Sequence, residues 1–342
     1  MAEGIDFTSC RLIPGRAYNG ANGKKIAVEY NGTLYMLKFP PSGRNKPTEL
    51  SYTNSCFSEH IASSIFNLLG VRAHETMLGT FKVGGKDKII CACKDFTADG
   101  KRFFDFCSIK NTILESDSNG IGTELEDILD TIGKQQYVSP DVLEKHFWDM
   151  FVADALLGNF DRHNGNWGFL FDEAAGEASL APIYDCGSCL LPQADERVMN
   201  EVLTNEDALH ARIYQYPTSA IKQSDRKINY RDFLMAAEYE GCNEAVKRIV
   251  PRVDMGAVDA FIGTAPYLSD LQRASLLQRS TVSAISAKDS SPSPRSNASM
   301  NSAMGSGFDA HGPPATIIGS SSLLSLDKGS IPDRISMFTT FV

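Results

Sequence analysis

Residues 158–167 read Gly158-Asn159-Phe160-Asp161-Arg162-His163-Asn164-Gly165-Asn166-Trp167, and a second polar segment, Ile183-Tyr184-Asp185-Cys186-Gly187, follows them. An Asp followed five positions later by an Asn, and then by a separate Asp-x-Gly, is the spacing of a phosphoryl-transfer site. Either half alone would be weak evidence, because a polar loop can carry an Asp–Asn pair by coincidence. Together the two halves predict a nucleotide-dependent site.

Each side chain of this pattern has a chemical role in such a site. Asp161 can accept the proton of a substrate hydroxyl group or orient that group. The side-chain oxygen of Asn166 and the carboxylate of Asp185 can hold Mg²⁺ against the phosphates of a nucleotide, because Mg²⁺ prefers hard oxygen ligands to thiolates. ATP and Mg²⁺ are therefore the expected cofactors.

A β-hairpin is predicted upstream, where apolar and polar residues alternate over 26–30 before an Asn31-Gly32 turn. The return strand, residues 33–39, places Lys38 at the end of an otherwise apolar row. A lysine in this position can simply extend to solvent at the strand end. It can also neutralise the α- and β-phosphates of a nucleotide, which is the sharper interpretation.

A glycine-containing loop precedes the hairpin. Its glycines permit positive φ and a close approach of the backbone, so that its N–H groups could cradle phosphates. A loop this short is also often a plain turn, and the sequence lacks GxxxxGK[ST], the signature of a P-loop NTPase. The loop consists of Asn19, Gly20, Ala21, Asn22, Gly23 and Lys24.

The helical spacing of apolar residues predicts a helix over about 54–69, with Glu59 in its middle, 21 residues after Lys38. In a kinase-like small lobe, a helix carboxylate at about this separation pairs with the strand lysine. A solvent-exposed helix glutamate is the alternative. Strands are predicted at 71–81 and 88–96, and the second ends in Lys94-Asp95-Phe96. These three residues would form the hinge between two lobes, where backbone groups could form hydrogen bonds with the edge of an adenine ring.

The second half of the chain is predicted to be mainly helical from about residue 100. Thr123 to Glu126 has the pattern of a capping box before a helix that ends at Gly133. Ser139-Pro140 opens the clearest helix, which ends at Gly158 and would deliver Asp161 on a rigid support. Residues 167–170 and 180–183 are predicted as a strand pair, and further helices at about 230–249, 254–262 and 267–279.

After about Thr281 the composition changes to Ser, Pro, Gly and Asn, and periodicity disappears. Such a segment cannot bury enough apolar surface to offset the entropy of ordering, so it is predicted to be disordered. The predicted organisation is an N-lobe over residues 1–97, a helical C-lobe over 98–280 and a tail over 281–342. The predicted fold class is α+β.

The chain has 342 residues, 42% of them hydrophobic, and a formal net charge of -9. This charge argues against nucleic-acid binding through a broad basic face, so no nucleic-acid partner is expected. No stretch approaches the roughly 20 apolar residues that cross a bilayer, and the first residues lack the apolar core of a secretory signal peptide.

The eight cysteines include Cys91-x-Cys93 and Cys186-x-x-Cys189 but no second CxxC pair, which favours free thiols in a reducing compartment over zinc.

These motifs follow one another along the chain in the same order as in kinases. The order is glycine loop, strand lysine, helix glutamate, hinge, Asp-x₄-Asn and Asp-x-Gly. In Asp161-Arg162-His163 the histidine follows the Asp rather than preceding it. With Tyr35-Met36-Leu37-Lys38-Phe39-Pro40, Ser51-Tyr52-Thr53-Asn54 and residues 157–169 and 181–188, this arrangement resembles the HipA-like bacterial serine/threonine kinases. The resemblance covers about residues 5–270. It implies a bilobal, protein-kinase-like fold with a β-rich small N-lobe and a helical C-lobe.

The resemblance also implies a role for each matching residue. The phosphate loop would be Asn19 to Lys24, and the hinge Lys94 to Phe96. Lys38 would contact the α- and β-phosphates with Glu59 as its partner. Asp161 would be the catalytic base with His163 beside it, and Asn166 and Asp185 would be the Mg²⁺ ligands.

Two departures from the family pattern affect the expected partners. Full-length HipA toxins carry an extra N-terminal subdomain and an autophosphorylated serine in the phosphate loop. Here the chain starts almost at that loop, and Tyr18-Asn19-Gly20-Ala21-Asn22 contains no serine. Autoinhibition by loop phosphorylation and an antitoxin partner of the usual kind are therefore doubtful. The expected location is the cytoplasm of the producing bacterium, or a host cell reached by export without a signal peptide.

Three functions stay open on the sequence. The first is an ATP- and Mg²⁺-dependent serine/threonine protein kinase that acts on protein hydroxyl groups, as a secreted effector and on itself. The second is a phosphoinositide or other lipid kinase, because Asp-Arg-His-x-x-Asn also resembles the catalytic loop of phosphoinositide kinases. No strongly basic patch for an anionic head group lies near Asp185, which argues against it. The third is a nucleotide-binding pseudokinase scaffold, although all the catalytic positions are filled.

Overall fold

The structure, a computed structural model, describes residues 4–18, 24–40, 54–113 and 120–289. These residues form a small lobe built around a sheet and a large lobe built around helices, which confirms the predicted α+β, bilobal fold. The small lobe contains β1 (Ile5–Asp6), β2 (Arg11–Leu12), β3 (Lys25–Tyr30), β4 (Thr33–Lys38), α1 (Ser55–Leu68), β5 (Thr76–Val83) and β6 (Lys86–Lys94).

A six-stranded sheet, in the order β1-β5-β6-β4-β3-β2, forms the small lobe. Alternate residues of a strand face opposite sides of a sheet. In β6, Ile90 and Ala92 join an apolar cluster on one side. Cys91 and Cys93 face the other side, where α1 packs. Because Lys38 pairs directly with Cys91, its side chain lies on the same side of the sheet as α1.

The predicted hairpin is confirmed, with Tyr30 opposite Thr33 and a two-residue loop between β3 and β4. Asn31 and Gly32 have φ values of 49° and 74°, the positive φ at both loop positions that a type I′ turn requires. This register matters for the site, because a slip of one residue would turn Lys38 to the opposite face.

The large lobe surrounds α4 (Pro140–Leu157), whose predicted ends are confirmed. Pro140 occupies the first turn, and Gly158 closes the helix in the left-handed conformation with φ 63° and ψ 42°. Every residue of α4 from Phe147 to Asp154 is buried, whereas most of its first two turns are exposed. The other elements are β7 (Arg102–Asp105), α2 (Phe106–Ile113), α3 (Leu125–Lys134), β8 (Gly168–Asp172), β9 (Glu177–Leu180), α5 (Glu196–Thr204), α6 (Glu206–His210), β10 (Thr218–Gln223), β11 (Arg226–Asn229), α7 (Tyr230–Ala236), α8 (Glu240–Ile249), α9 (Met255–Thr264) and α10 (Asp270–Asp289).

Two β segments interrupt the region that was predicted to be helical. Residues Arg102–Asp105 form β7 and pair with β8, so the three-stranded sheet β7-β8-β9 includes the predicted strand pair as β8 and β9. The hairpin β10–β11 was not predicted from the sequence. Both segments are stabilised by partners distant in sequence, which local periodicity does not report.

The predicted capping box before α3 is wrong. Glu124 is the residue before the helix, and its side chain makes no capping hydrogen bond. The Thr123 hydroxyl instead donates to the Ala220 carbonyl oxygen at 2.8 Å. The backbone N–H of Lys222 donates to the Thr123 carbonyl oxygen at 2.9 Å. This segment therefore hydrogen-bonds to strand β10, and the Thr123 hydroxyl is not available to cap the helix.

Two predicted helix boundaries also change. The helix predicted over 230–249 is divided into α7 and α8, because Ala237 adopts a left-handed conformation with φ 53°. The last helix does not end at Arg279, and α10 continues to Asp289. Its first part is held by buried Leu276 and Arg279, and extension of a formed helix is less costly than nucleation. Residues 290–342, which hold most of the predicted disordered tail, lie outside the described residues. Within the described chain, no helix has the length and apolar character needed to span a bilayer.

Candidate active site

Three charged side chains from different elements meet between the lobes. The Lys38 ammonium donates to Glu59 Oε2 and to Asp185 Oδ1, each at 2.8 Å. Lys38 comes from β4 and Glu59 from α1, while Asp185 lies in the loop after β9. Glu59 is only 1% exposed, so the alternative of a solvated helix glutamate is wrong. The structure therefore brings together the predicted strand lysine, helix glutamate and later Asp.

The charges in this cluster stabilise one another. Burial by itself would lower the pKa of Lys38, but the carboxylates of Asp185 and Glu59 hold it well above its ordinary value. Burial would raise the pKa of Glu59, yet the Lys38 ammonium holds it far below its usual range. Lys38 also lowers the pKa of Asp185. All three groups are therefore ionised at neutral pH.

The Asp-x-Gly segment is shaped to bring Asp185 to the lysine. Asp185 has φ 57°, a left-handed conformation that a residue other than glycine seldom adopts. A side chain at Gly187 would place its Cβ 3.1 Å from Glu59 Oε2, so glycine permits the close approach of this loop to α1. Such backbone strain is often found at functional sites.

The loop after α4 carries Asp161 and Asn166. Asn166 lies in a short 3₁₀ turn, Asn164–Asn166, and its amide group donates to the Asp161 carbonyl oxygen at 2.9 Å. Because the amide nitrogen is used in this bond, the side-chain oxygen is the end that remains for a metal ion. Burial raises the pKa of Asp161, although His163, when its ring is protonated, opposes the rise. His163 is exposed, and in the neutral ring its Nδ1 accepts a hydrogen bond from the Gly165 N–H at 3.0 Å.

A buried ion pair, which the sequence did not reveal, supports this loop. Arg162 Nε donates to Asp154 Oδ2 at 2.9 Å, and both side chains are 1% exposed. Arg162 Nη1 also donates to the carbonyl oxygens of Asn166, at 2.8 Å, and of Tyr184. One guanidinium thus joins α4 to both the Asp161 loop and the segment before Asp185. The sequence signal that could have indicated it is an Asp in the last turn of a helix that is otherwise buried by apolar residues.

Asn159 and Tyr230 complete this support. Asn159 Nδ2 donates to Asp154 Oδ1 at 2.7 Å, and Asn159 Oδ1 accepts from the Asp161 N–H at 3.1 Å. The Tyr230 hydroxyl donates to the Asn159 carbonyl oxygen at 2.6 Å. Buried polar groups with full sets of partners fix one geometry. The backbone of Asp161 is therefore held by residues that do not themselves face the cavity.

The predicted hinge residues line the same cavity, but Asp95 has its own network. Asp95 Oδ2 accepts from Arg16 Nε at 2.6 Å and from the Tyr18 hydroxyl at 2.7 Å. Asp95 Oδ1 accepts from the Thr97 N–H at 2.8 Å and from its hydroxyl at 2.7 Å. Four donors fill the acceptor sites of this carboxylate. The Lys94 side chain points elsewhere and binds Glu75. The expected contact with an adenine edge would then use backbone groups of this stretch.

A cavity of about 900 Å³ connects these groups. It is large enough for a nucleotide, since ligand pockets commonly measure about 300–1,000 Å³. Of the predicted phosphate loop, Asn19, Gly20, Ala21, Asn22 and Gly23 lie outside the described residues, whereas Lys24 Nζ lies 5.6 Å from the centre of the Phe39 ring. The wall of the cavity includes Lys38, Glu59, Lys94, Asp95, Phe96, Asp161, His163, Asn166 and Asp185.

Comparisons with known proteins agree with this architecture. Residues 17–258 match the family model of the HipA-like C-terminal domain. The chain is 50% identical over 273 residues to the serine/threonine-protein kinase CtkA of Helicobacter pylori, which covers 79% of this chain and 82% of that protein. A crystal structure of the Helicobacter pylori proinflammatory kinase CtkA superimposes with a TM-score of 0.80 at 47% identity, over 84% of this chain and 96% of the other. The chain therefore belongs to the HipA-like family of bacterial serine/threonine kinases.

Proposed function

We propose that this protein is a serine/threonine protein kinase that uses ATP and Mg²⁺. The observation that carries the proposal is the meeting of Lys38, Glu59 and Asp185 in one cavity that Asp161 and Asn166 also line. The relative CtkA is a serine/threonine-protein kinase, which indicates the substrate class, a protein hydroxyl group.

The residues of the cavity fit a metal-bound triphosphate. Asp185 and Asn166 offer hard oxygen atoms, which suit Mg²⁺. Bound Mg²⁺ would neutralise negative charge on the phosphates of the nucleotide. Lys38 is held ready by two carboxylates and offers its ammonium to phosphate oxygens, while Asp161 orients the acceptor hydroxyl and receives its proton. Catalysis of this kind depends mainly on positioning and on charge stabilisation.

Transfer of label from ATP tests the proposal directly. The purified protein would be incubated with γ-labelled ATP and either a dephosphorylated bacterial proteome or phosphoinositide vesicles, with Asp185→Ala as the control. We expect label on protein serine and threonine, and none with the variant. Label confined to lipid would show a lipid kinase instead. Nucleotide binding without any transfer would favour a pseudokinase scaffold, and either result would overturn the proposal.

The hinge network is expected to affect the affinity for ATP. Residues 15–18 lead into the predicted phosphate loop, and Arg16 and Tyr18 tie them to Asp95. Without Arg16, residues 15–18 would be held less firmly to Asp95, and ATP binding would weaken equally in the ground state and in the transition state. Such a loss raises KM and leaves kcat almost unchanged. For Arg16→Ala we expect a rise in the KM for ATP of about three- to tenfold, as for loss of a partly exposed charged hydrogen bond. Steady-state kinetics at varied ATP measures it.

Arg11→Ala is the matched control for that prediction. Arg11 pairs with Glu29 in the same lobe at 3.0 Å, and its side chain is 75% exposed, so its loss should leave both constants near wild type. A fall in kcat with an unchanged KM for Arg16→Ala would contradict the positioning role of the network.

The pH dependence should reflect the raised pKa of Asp161. The carboxyl must be ionised to receive a proton, so activity is lost as the pH falls through this raised pKa. The loss occurs at a higher pH than for a catalytic Asp with an ordinary pKa. The protonated form of His163 opposes the rise. His163→Asn removes that charge but keeps a side-chain acceptor for the Gly165 N–H. We expect the acidic limb of kcat/KM to move to higher pH in this variant. An unmoved limb, or one at lower pH, would show that His163 does not act on Asp161.

The serine-rich segment after residue 289 provides acceptors for self-phosphorylation. Ser290-Ser291-Pro292-Ser293-Pro294-Arg295-Ser296 offers hydroxyl groups on the same chain as the active site. We expect phosphate on this segment after incubation with ATP, as detected by mass spectrometry, and none in the Asp185→Ala protein. An unmodified segment in the active enzyme would contradict this part of the proposal.

A further inference from the structure

Three potential metal ligands converge beside Lys38. The carboxylate of Glu59, the imidazole of His74 and the thiol of Cys93 offer ligand atoms that all lie within 4.8 Å of one another. Each of the three residues is buried but lines the cavity between the lobes, so an ion has a path to them. We propose that they form a binding site for Zn²⁺, and that the bound ion competes with Lys38 for Glu59. The second part rests on the proposed kinase function.

The ligand atoms must move closer together to hold an ion. Zinc lies about 2.3 Å from sulfur and about 2.0–2.1 Å from nitrogen or oxygen, so at tetrahedral angles two ligand atoms are about 3.3–3.6 Å apart. The ligand atoms here lie within 4.8 Å of one another, so each pair must shorten by up to about 1.5 Å, which side-chain rotations can supply. His74 Nε2 already lies 3.0 Å from Glu59 Oε1 and 3.1 Å from Ser63 Oγ. Three protein ligands with a fourth position open to a cavity is a frequent zinc arrangement.

The donor set selects zinc rather than magnesium. A thiolate and an imidazole are soft or intermediate ligands, whereas Mg²⁺ prefers oxygen. Glu59 Oε2 accepts from Lys38, but Oε1 receives no aligned hydrogen bond from any described residue. This buried oxygen lies 3.0 Å from His74 Nε2, and a bound ion would take the place of that contact. Coordination replaces the thiol proton of Cys93, which leaves to solvent, so that the charges of Zn²⁺, one thiolate and one carboxylate sum to zero.

The position of the ion explains why it would inhibit. Lys38 and the proposed ion bind opposite oxygens of the same Glu59 carboxylate, and like charges that close repel each other. Lys38 retains its contact with Asp185 at 2.8 Å, so the ammonium shifts towards that residue. Lys38 would then be displaced from the phosphates, and Asp185 would be less available to Mg²⁺. Zinc should therefore raise the KM for ATP.

Cobalt provides a spectroscopic probe of binding that does not depend on activity. We expect the full-length protein to develop a sulfur-to-cobalt charge-transfer absorption that saturates at one equivalent of Co²⁺ and disappears when Zn²⁺ is added. Cys93→Ser should abolish this absorption and weaken Zn²⁺ binding at least about tenfold in equilibrium dialysis. His74→Asn should keep a thiolate but weaken binding similarly. Cys242→Ser removes another buried thiol, in the large lobe, and should bind as wild type.

The outcomes separate the site from the kinase proposal. Absence of the absorption, or its persistence in Cys93→Ser protein that melts as wild type, would overturn the metal site whatever the enzyme does. If the site exists, buffered Zn²⁺ should raise the KM for ATP several-fold in wild type and Cys242→Ser and leave it unchanged in Cys93→Ser. Intact cobalt binding with a KM that does not respond to zinc would overturn the competition with Lys38. Failure of the kinase proposal would appear instead as no transfer in metal-buffered MgATP without zinc.

Discussion

Replacement of Asp161 by Asn is expected to lower kcat by about 10²–10⁴-fold, the range for loss of a catalytic base. The amide has nearly the same shape as the carboxylate but cannot receive the proton of the acceptor hydroxyl. The backbone bonds of Asp161, to Asn159 and Asn166, do not involve its side chain and should survive. Nucleotide affinity, measured by calorimetry, should therefore change little while transfer of label from ATP almost stops.

Asp195→Asn is the matched control for this substitution. Asp195 is exposed in the large lobe and accepts a hydrogen bond from the Val198 N–H at 2.8 Å, a capping role that Asn performs equally well. Its kcat should remain near wild type. If the Asp161→Asn protein folded normally and transferred phosphate at more than about a tenth of the wild-type rate, Asp161 would not be the catalytic base.

The second large effect is expected on stability, from the buried pair of Asp154 and Arg162. Asp154→Ala would leave the Arg162 guanidinium, 1% exposed, without its carboxylate. Removal of one partner from a buried ion pair commonly costs about 3–5 kcal/mol, because the remaining charge is neither paired nor hydrated. We expect a loss of this size in the free energy of unfolding, measured by urea denaturation. Activity should fall as well, since Arg162 supports both the Asp161 loop and Tyr184.

A double substitution distinguishes ion pairing from simple loss of packing. Asp154→Leu combined with Arg162→Met removes both charges and keeps most of the buried volume. Its cost should be smaller than the sum of the two single variants, although the carbonyl oxygens of Asn166 and Tyr184 lose a donor. Lys134→Met, which breaks an exposed pair with Asp130, is the control and should change stability by less than about 1 kcal/mol. If the double variant lost as much free energy of unfolding as the two single variants together, Asp154 and Arg162 would not act as a pair.

Local signals predicted the parts of the fold that depend on neighbouring residues. The Asn31-Gly32 turn and the Pro140 and Gly158 ends of α4 were correct because their conformations are set by the residues themselves. The capping box at Thr123 and the end of the last helix were wrong for the opposite reason. There, a strand about 100 residues later and the packing of α10 outweigh local preference.

In the active site, too, some features could be predicted from local sequence and others depend on distant contacts. The strand lysine, the helix glutamate and the Asp-x₄-Asn and Asp-x-Gly spacings can be read directly from the sequence, and they were enough to indicate the family. The distance of 2.8 Å between Lys38 and Asp185, 147 residues later, and the position of Arg162 between α4 and both loops are visible only in the folded chain. A contact across such a separation depends on the packing of two lobes, because no local pattern encodes the distance between residues that far apart.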